Sequence, residues 1–106
     1  MLVAALAAPT TRAMAADCGG LDAKIAAAKT AADHEAVAAC YDQLAGDSKD
    51  KAESHKKMQS AYKGTAAASK LRLPEHCSYF TKTFTAEAKA YEEMAAAHRK
   101  MAASVK

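Results

Sequence analysis

HEAVAACYDQLAGDSKDKAESHKKMQSAY, residues 34–62, decides how this chain folds. Within it His34, Val37, Tyr41, Leu44, Ser48, Lys51, His55, Met58 and Tyr62 recur at alternating spacings of three and four. That is a heptad seam along one face of an α-helix. Gly46 falls inside it, at ~1 kcal/mol relative to alanine, and reads as a weak point in one continuous helix. A second seam follows: Cys77, Phe80, Phe84, Glu87, Tyr91, Met94, His98, Met101 and Val105.

The punctuation around the seams agrees with them. Gly64 is placed to end the first helix at its C′ position. Thr65 to Leu73 reads as a loop with a turn of helix at Ala66-Ala67-Ala68. Pro74 and Glu75 then occupy the first and second helical positions. Upstream, Leu21 to Thr30 is helical by composition, and Thr30-Ala31-Ala32-Asp33 resembles a capping box, hence a cap or a bend.

The expected fold is all-α: a long antiparallel helical hairpin, with helices at about 21–63 and 74–105, in a single domain spanning 16–106. Such a hairpin leaves one face of each helix open. Tyr62, Tyr79, Tyr91 and both phenylalanines need more partners than two helices supply, so two hairpins are expected to dimerise into a four-helix bundle. The competing arrangement is a hairpin that packs on its own N-terminal segment.

Composition narrows the function classes. The chain has 106 residues, no tryptophan and two phenylalanines; alanine, a strong helix former and a poor core filler, dominates it. The net charge is +3, with Lys and Arg interleaved among Asp and Glu. No uninterrupted basic stripe and no aromatic–basic interleaving marks a nucleic-acid surface. Residues 1–15 read as a signal-peptide-like segment, apolar from Met1 to Ala8, with Ala13-Met14-Ala15 as a small-x-small cleavage site. An initiator upstream or a truncated start would explain the lack of a positively charged beginning. The apolar run is too short to span a bilayer, so no stable membrane insertion is expected. The chain is accordingly read as exported, and periplasmic if its source is Gram-negative. Three cysteines, Cys18, Cys40 and Cys77, fit no zinc-ribbon pattern, and an odd number leaves at least one thiol free or bonded to another chain.

Lys51-Ala52-Glu53-Ser54-His55-Lys56-Lys57-Met58 with Tyr62, and the relative of this string in Tyr91 to Ala102, resemble small exported bacterial helical proteins with repeated EHxxMAxxY segments. The resemblance covers most of residues 31–104. It implies a helical fold and export, and no activity.

All four histidines belong to a duplicated pattern in which an HxxM pair, His55/Met58 or His98/Met101, follows an earlier histidine, His34 or His76. Folding the chain as an antiparallel hairpin predicts two clusters, ~31 Å of helix apart. One gathers His34, Cys40, His98 and Met101; the loop end gathers His55, Met58, His76 and Cys77. Imidazole with soft sulfur and without clustered carboxylates points to Cu(I), with haem through His/Met ligation less favoured because an alanine-rich seam is narrow. The leading expectation is therefore an exported metal-binding or metal-buffering protein. The alternative is a structural or protein-interaction module whose histidines only specify packing. No nucleophile–base order, phosphate loop or HExxH is present, so the chain is not expected to be an enzyme. Cys77 beside His76 in a first helical turn is a conceivable redox thiol, and more simply a small buried side chain.

Overall fold

In the computed structural model, residues 18–105 are described, and they form four helices and no strand. These are α1 (Leu21–Ala27), α2 (Ala31–Lys63), α3 (Ala66–Lys70) and α4 (Leu73–Ser104). The signal-peptide-like segment lies outside the described residues. The long helices α2 and α4 pack against each other as a helical hairpin.

The expected first helix, about 21–63, is divided. Gly20 begins α1 at φ 67°, in the left-handed region that glycine reaches without penalty. Residues 28–30 then leave the helix, and α2 restarts behind a reciprocal cap. The amide of Asp33 donates to Thr30 Oγ1, and the amides of Thr30 and Lys29 donate to Asp33 Oδ2, each at 3.0 Å. These backbone donors, Lys29 first, hold the Asp33 carboxyl below its ordinary range. Four N–H groups at a helix start lack intrahelical partners, so a sequence that satisfies them locally favours a new start over continuation.

Gly46 does not interrupt α2, which runs unbroken to Lys63. Gly64 follows as expected but without a left-handed φ. The last turn instead tightens, with Gly64 N donating to Ala61 O and Thr65 N to Tyr62 O. Thr65 caps α3 by accepting from the Ala68 amide. Arg72, at φ 61°, makes the turn into α4 in a conformation that costs a non-glycine residue about 1–2 kcal/mol. The helix therefore starts at Leu73, one residue ahead of the position expected from Pro74.

The described residues divide into two compact units, 18–43 with 92–105, and 44–91. In the first, Val37, Ala38, Cys40, Tyr41, Ala95, His98 and Ala102 are buried. In the second, Ala45, Ser48, Ala52, Ala68, Cys77 and Ala88 are buried. The heptad is real in both, but alternate positions lie one residue later than expected. On α2, Ala45 and Ala52 are inside, while Leu44 is half-buried and Lys51 and Met58 are exposed. On α4, Ala88, Ala95 and Ala102 are inside, while Glu87 is half-buried and Phe80, Met94 and Met101 are exposed. Interaxial distance follows side-chain size at the crossing. Methyl groups in the seam let two backbones approach where leucine or methionine would hold them apart.

Two substitutions test this reading of α2. A Cβ added at Gly46 meets nothing within 4 Å, so Gly46→Ala should raise stability by about 0.5–1 kcal/mol. Thr30→Ala should lower it by about 1 kcal/mol through loss of the cap. Urea denaturation followed by circular dichroism measures both, and a destabilised Gly46→Ala would contradict an uninterrupted, open-faced helix.

Candidate functional site

The strongest convergence of chemistry-bearing side chains lies in the first unit. His34 comes from the first turn of α2 and His98 from the last two turns of α4, and their Nδ1 atoms are 3.1 Å apart. One ring must therefore donate and the other accept. The ring centroids are 5.4 Å apart. Tyr41, two turns along α2 from His34, also stacks on His98, with centroids 5.8 Å apart. His98 is 7 % exposed, so hydrogen bond and stacking together fix a nearly dry imidazole.

Burial pushes the His98 pKa below its ordinary value, and the neighbouring His34 charge acts in the same direction. A neutral ring is what the geometry needs, since two imidazolium ions would bring donors face to face. Arg99 closes the surface beside the pair. Its guanidinium donates to Asp42 at 2.7 Å and lies 3.5 Å from Glu35. All three side chains are about half exposed, so this clamp orients α4 on α2 more than it stabilises the fold.

Cys40, expected among the ligands of this cluster, is disulfide-bonded to Cys18. Its sulfur is consumed in that bond and supplies no thiolate to a metal. Met101 sits one turn beyond His98 and is 44 % exposed. Of the four residues expected at this end, the structure thus brings two imidazoles together, withdraws the thiol and leaves the thioether at the surface.

The second unit treats its histidine differently. His55 lies against Phe80 and Phe84, with centroids at 4.8 and 5.6 Å and the rings within 26° of parallel. Its Nδ1 is buried with no hydrogen-bond partner. Lys51, outside the seam, reaches over Phe84 with its ammonium 5.5 Å from the ring centre, a cation–π arrangement. Met58 and His76 are exposed, and Cys77 is a free, buried thiol. Ser48, 2 % exposed, donates to Glu87 Oε1 at 2.6 Å, which explains why a hydroxyl is tolerated inside.

Among the described residues, no three His, Cys, Asp or Glu side chains gather where they would hold a metal ion. Of the loop-end set His55, Met58, His76 and Cys77, His55 and Cys77 face inward while Met58 and His76 are exposed. Sequence reasoning also missed Cys18 as the partner of Cys40 and the aromatic faces that hold His55 and His98. The capping box at Thr30 was the available sign of the first, since a break there lets the preceding segment return along α2.

The His98 environment has a consequence for stability. Its folded pKa lies below the unfolded value near 6.5. Unfolded chain then binds a proton that the folded ring refuses, so stability is full above pH ~6.5 and falls as pH drops through the folded pKa. Denaturation midpoints at pH 7.5 and 5.0 should show this loss, and His98→Gln should flatten it; an unchanged pH slope in that variant would place the sensitivity elsewhere. Compared with known proteins, the chain matches no family model, no curated protein and no solved structure.

Proposed function

We propose that this chain is an exported helical interaction module that associates with a second copy of itself through the face of residues 44–91. The observation that carries the reading is the row of large apolar side chains left in solvent there. Met58 and Phe80 are each 41 % exposed, Tyr62 36 %, Tyr79 64 % and Leu71 68 %. Phe80 touches both Tyr79 and His55, and Met58 and Tyr62 continue from His55 along the same face of α2. Isolated apolar residues on a surface are ordinary, whereas a connected aromatic and thioether patch marks an interaction site.

A second copy is the occupant because a two-helix seam of alanines buries little. Another hairpin would offer the same residues in a self-complementary, two-fold arrangement that completes a four-helix bundle. The Cys18–Cys40 disulfide supports export, since such bonds persist in oxidising compartments. No helix among the described residues is long and apolar enough to cross a membrane. Interaction is favoured over two four-residue copper clusters because Cys40 is bonded to Cys18 and, at the loop end, Met58 and His76 are exposed.

Light scattering of the oxidised protein should give twice the monomer mass. Met58→Glu with Tyr79→Glu should halve it while leaving helix content unchanged, because both side chains are exposed in the single chain. A wild-type monomer at millimolar concentration would refute self-association.

A further inference from the structure

Independently of that association, we propose that His34 and His98 form a Cu(I) site, the two Nδ1 atoms being the ligands and Met101 a third donor on the open side. The site is narrower than the cluster expected from the sequence: two nitrogens from different helices, 3.1 Å apart.

The geometry is close to what an ion requires. With metal–nitrogen bonds of ~2.0–2.1 Å, two nitrogens on one ion stand ~3.3 Å apart at a tetrahedral angle and ~4.1 Å apart in a line. The observed 3.1 Å needs only a small opening of the rings to admit an ion in a bent arrangement. His34 is half-buried, which leaves its ring room to make that adjustment. His98 is held by the Tyr41 face, so one ligand is fixed and one adapts.

The proton inventory also balances. In the metal-free pair one Nδ1 carries the shared hydrogen. Binding moves that ring to its Nε2–H tautomer: the Nδ1 proton leaves to solvent, Nε2 takes one up, and no net charge is lost. Burial already favours the neutral form of His98, and a metal ligand must be neutral imidazole.

The ion's identity follows from what is missing and what is near. No third His, Cys, Asp or Glu completes a set among the described residues, so zinc, which takes four ligands in structural sites, is poorly served. Cu(I) accepts two or three ligands and favours thioether sulfur beside imidazole. Met101 stands three residues after His98, on the same side of α4. Its exposure places it where a thioether can swing onto an ion that arrives from solvent. The disulfide removes Cys40 from competition, leaving Cys77, in the other unit, as the one free thiol among the described residues.

The test uses the full, disulfide-intact chain under anaerobic conditions, titrated with Cu(I) against a chromogenic chelator. One equivalent should bind in wild type and in Cys77→Ser. His34→Gln should weaken binding at least a hundredfold, Met101→Leu about tenfold, and His76→Gln not at all. Because His98→Gln removes a buried ring, nitrogen-15 spectra of wild type provide a measurement that needs no variant. Cu(I) is diamagnetic, and only the ring nitrogens of His34 and His98 should move on its addition: both Nδ1 resonances, and the Nε2 of the ring that changes tautomer. Unchanged affinity in His34→Gln, loss of binding in Cys77→Ser, immobile Nδ1 resonances, or tighter binding of Zn(II) than of Cu(I) would each overturn the assignment.

Discussion

Two long helices that meet through methyl groups impose the main constraint on this molecule. Ala38, Ala95 and Ala102 in one unit, and Ala45, Ala52 and Ala88 in the other, are buried. Each contributes little apolar area, so the seam gains its cohesion from close approach and dispersion over many small contacts. The remaining seam positions must then be filled by side chains that fit a narrow space without an orphaned polar atom. Ser48 meets this by donating to Glu87, and His98 by pairing with His34. His55 meets it only in part, through aromatic faces, and keeps a buried Nδ1 without a partner.

A seam so thin makes the ends of the helices matter. The Thr30–Asp33 cap stops α1 from continuing into α2, and the segment ahead of it is then tied back by the bond from Cys18 to Cys40. Closing a loop with a sequence separation of 22 residues restricts the unfolded chain by about 3 kcal/mol in the loop-entropy view. For a chain this short, that is a sizeable part of the expected stability. The same bond settles the fate of Cys40: it has a structural job, and only Cys77 stays a thiol.

The histidines illustrate how environment separates identical residues. The duplicated sequence pattern treats His55 and His98 as equivalents, yet one is stacked among phenylalanines and the other hydrogen-bonded to a second imidazole. Only the second arrangement brings two ring nitrogens within hydrogen-bonding distance of each other. An HxxM spacing orients side chains on one helix; it says nothing of what the opposing helix brings to meet them.

Helical class, the hairpin, the capping box and the meeting of His34 with His98 follow from local information: spacing, cap residues and the loop between Gly64 and Pro74. Local chemistry acts over a few residues, and an antiparallel pair of equal arms has essentially one way to fold. The choice between Leu44 and Ala45, or between Met94 and Ala95, is not local. Both choices keep a spacing of three or four, and only the distance between two backbones decides which faces inward. That distance is a property of the packed pair, set by the smallest side chains available. The partner of Cys18 was hidden for a related reason, because it depends on where the chain goes after residues 28–30 leave the helix. Tertiary structure decided the seam, the disulfide and hence which sulfur stays a thiol, since each rests on the meeting of segments that no periodicity along one helix describes.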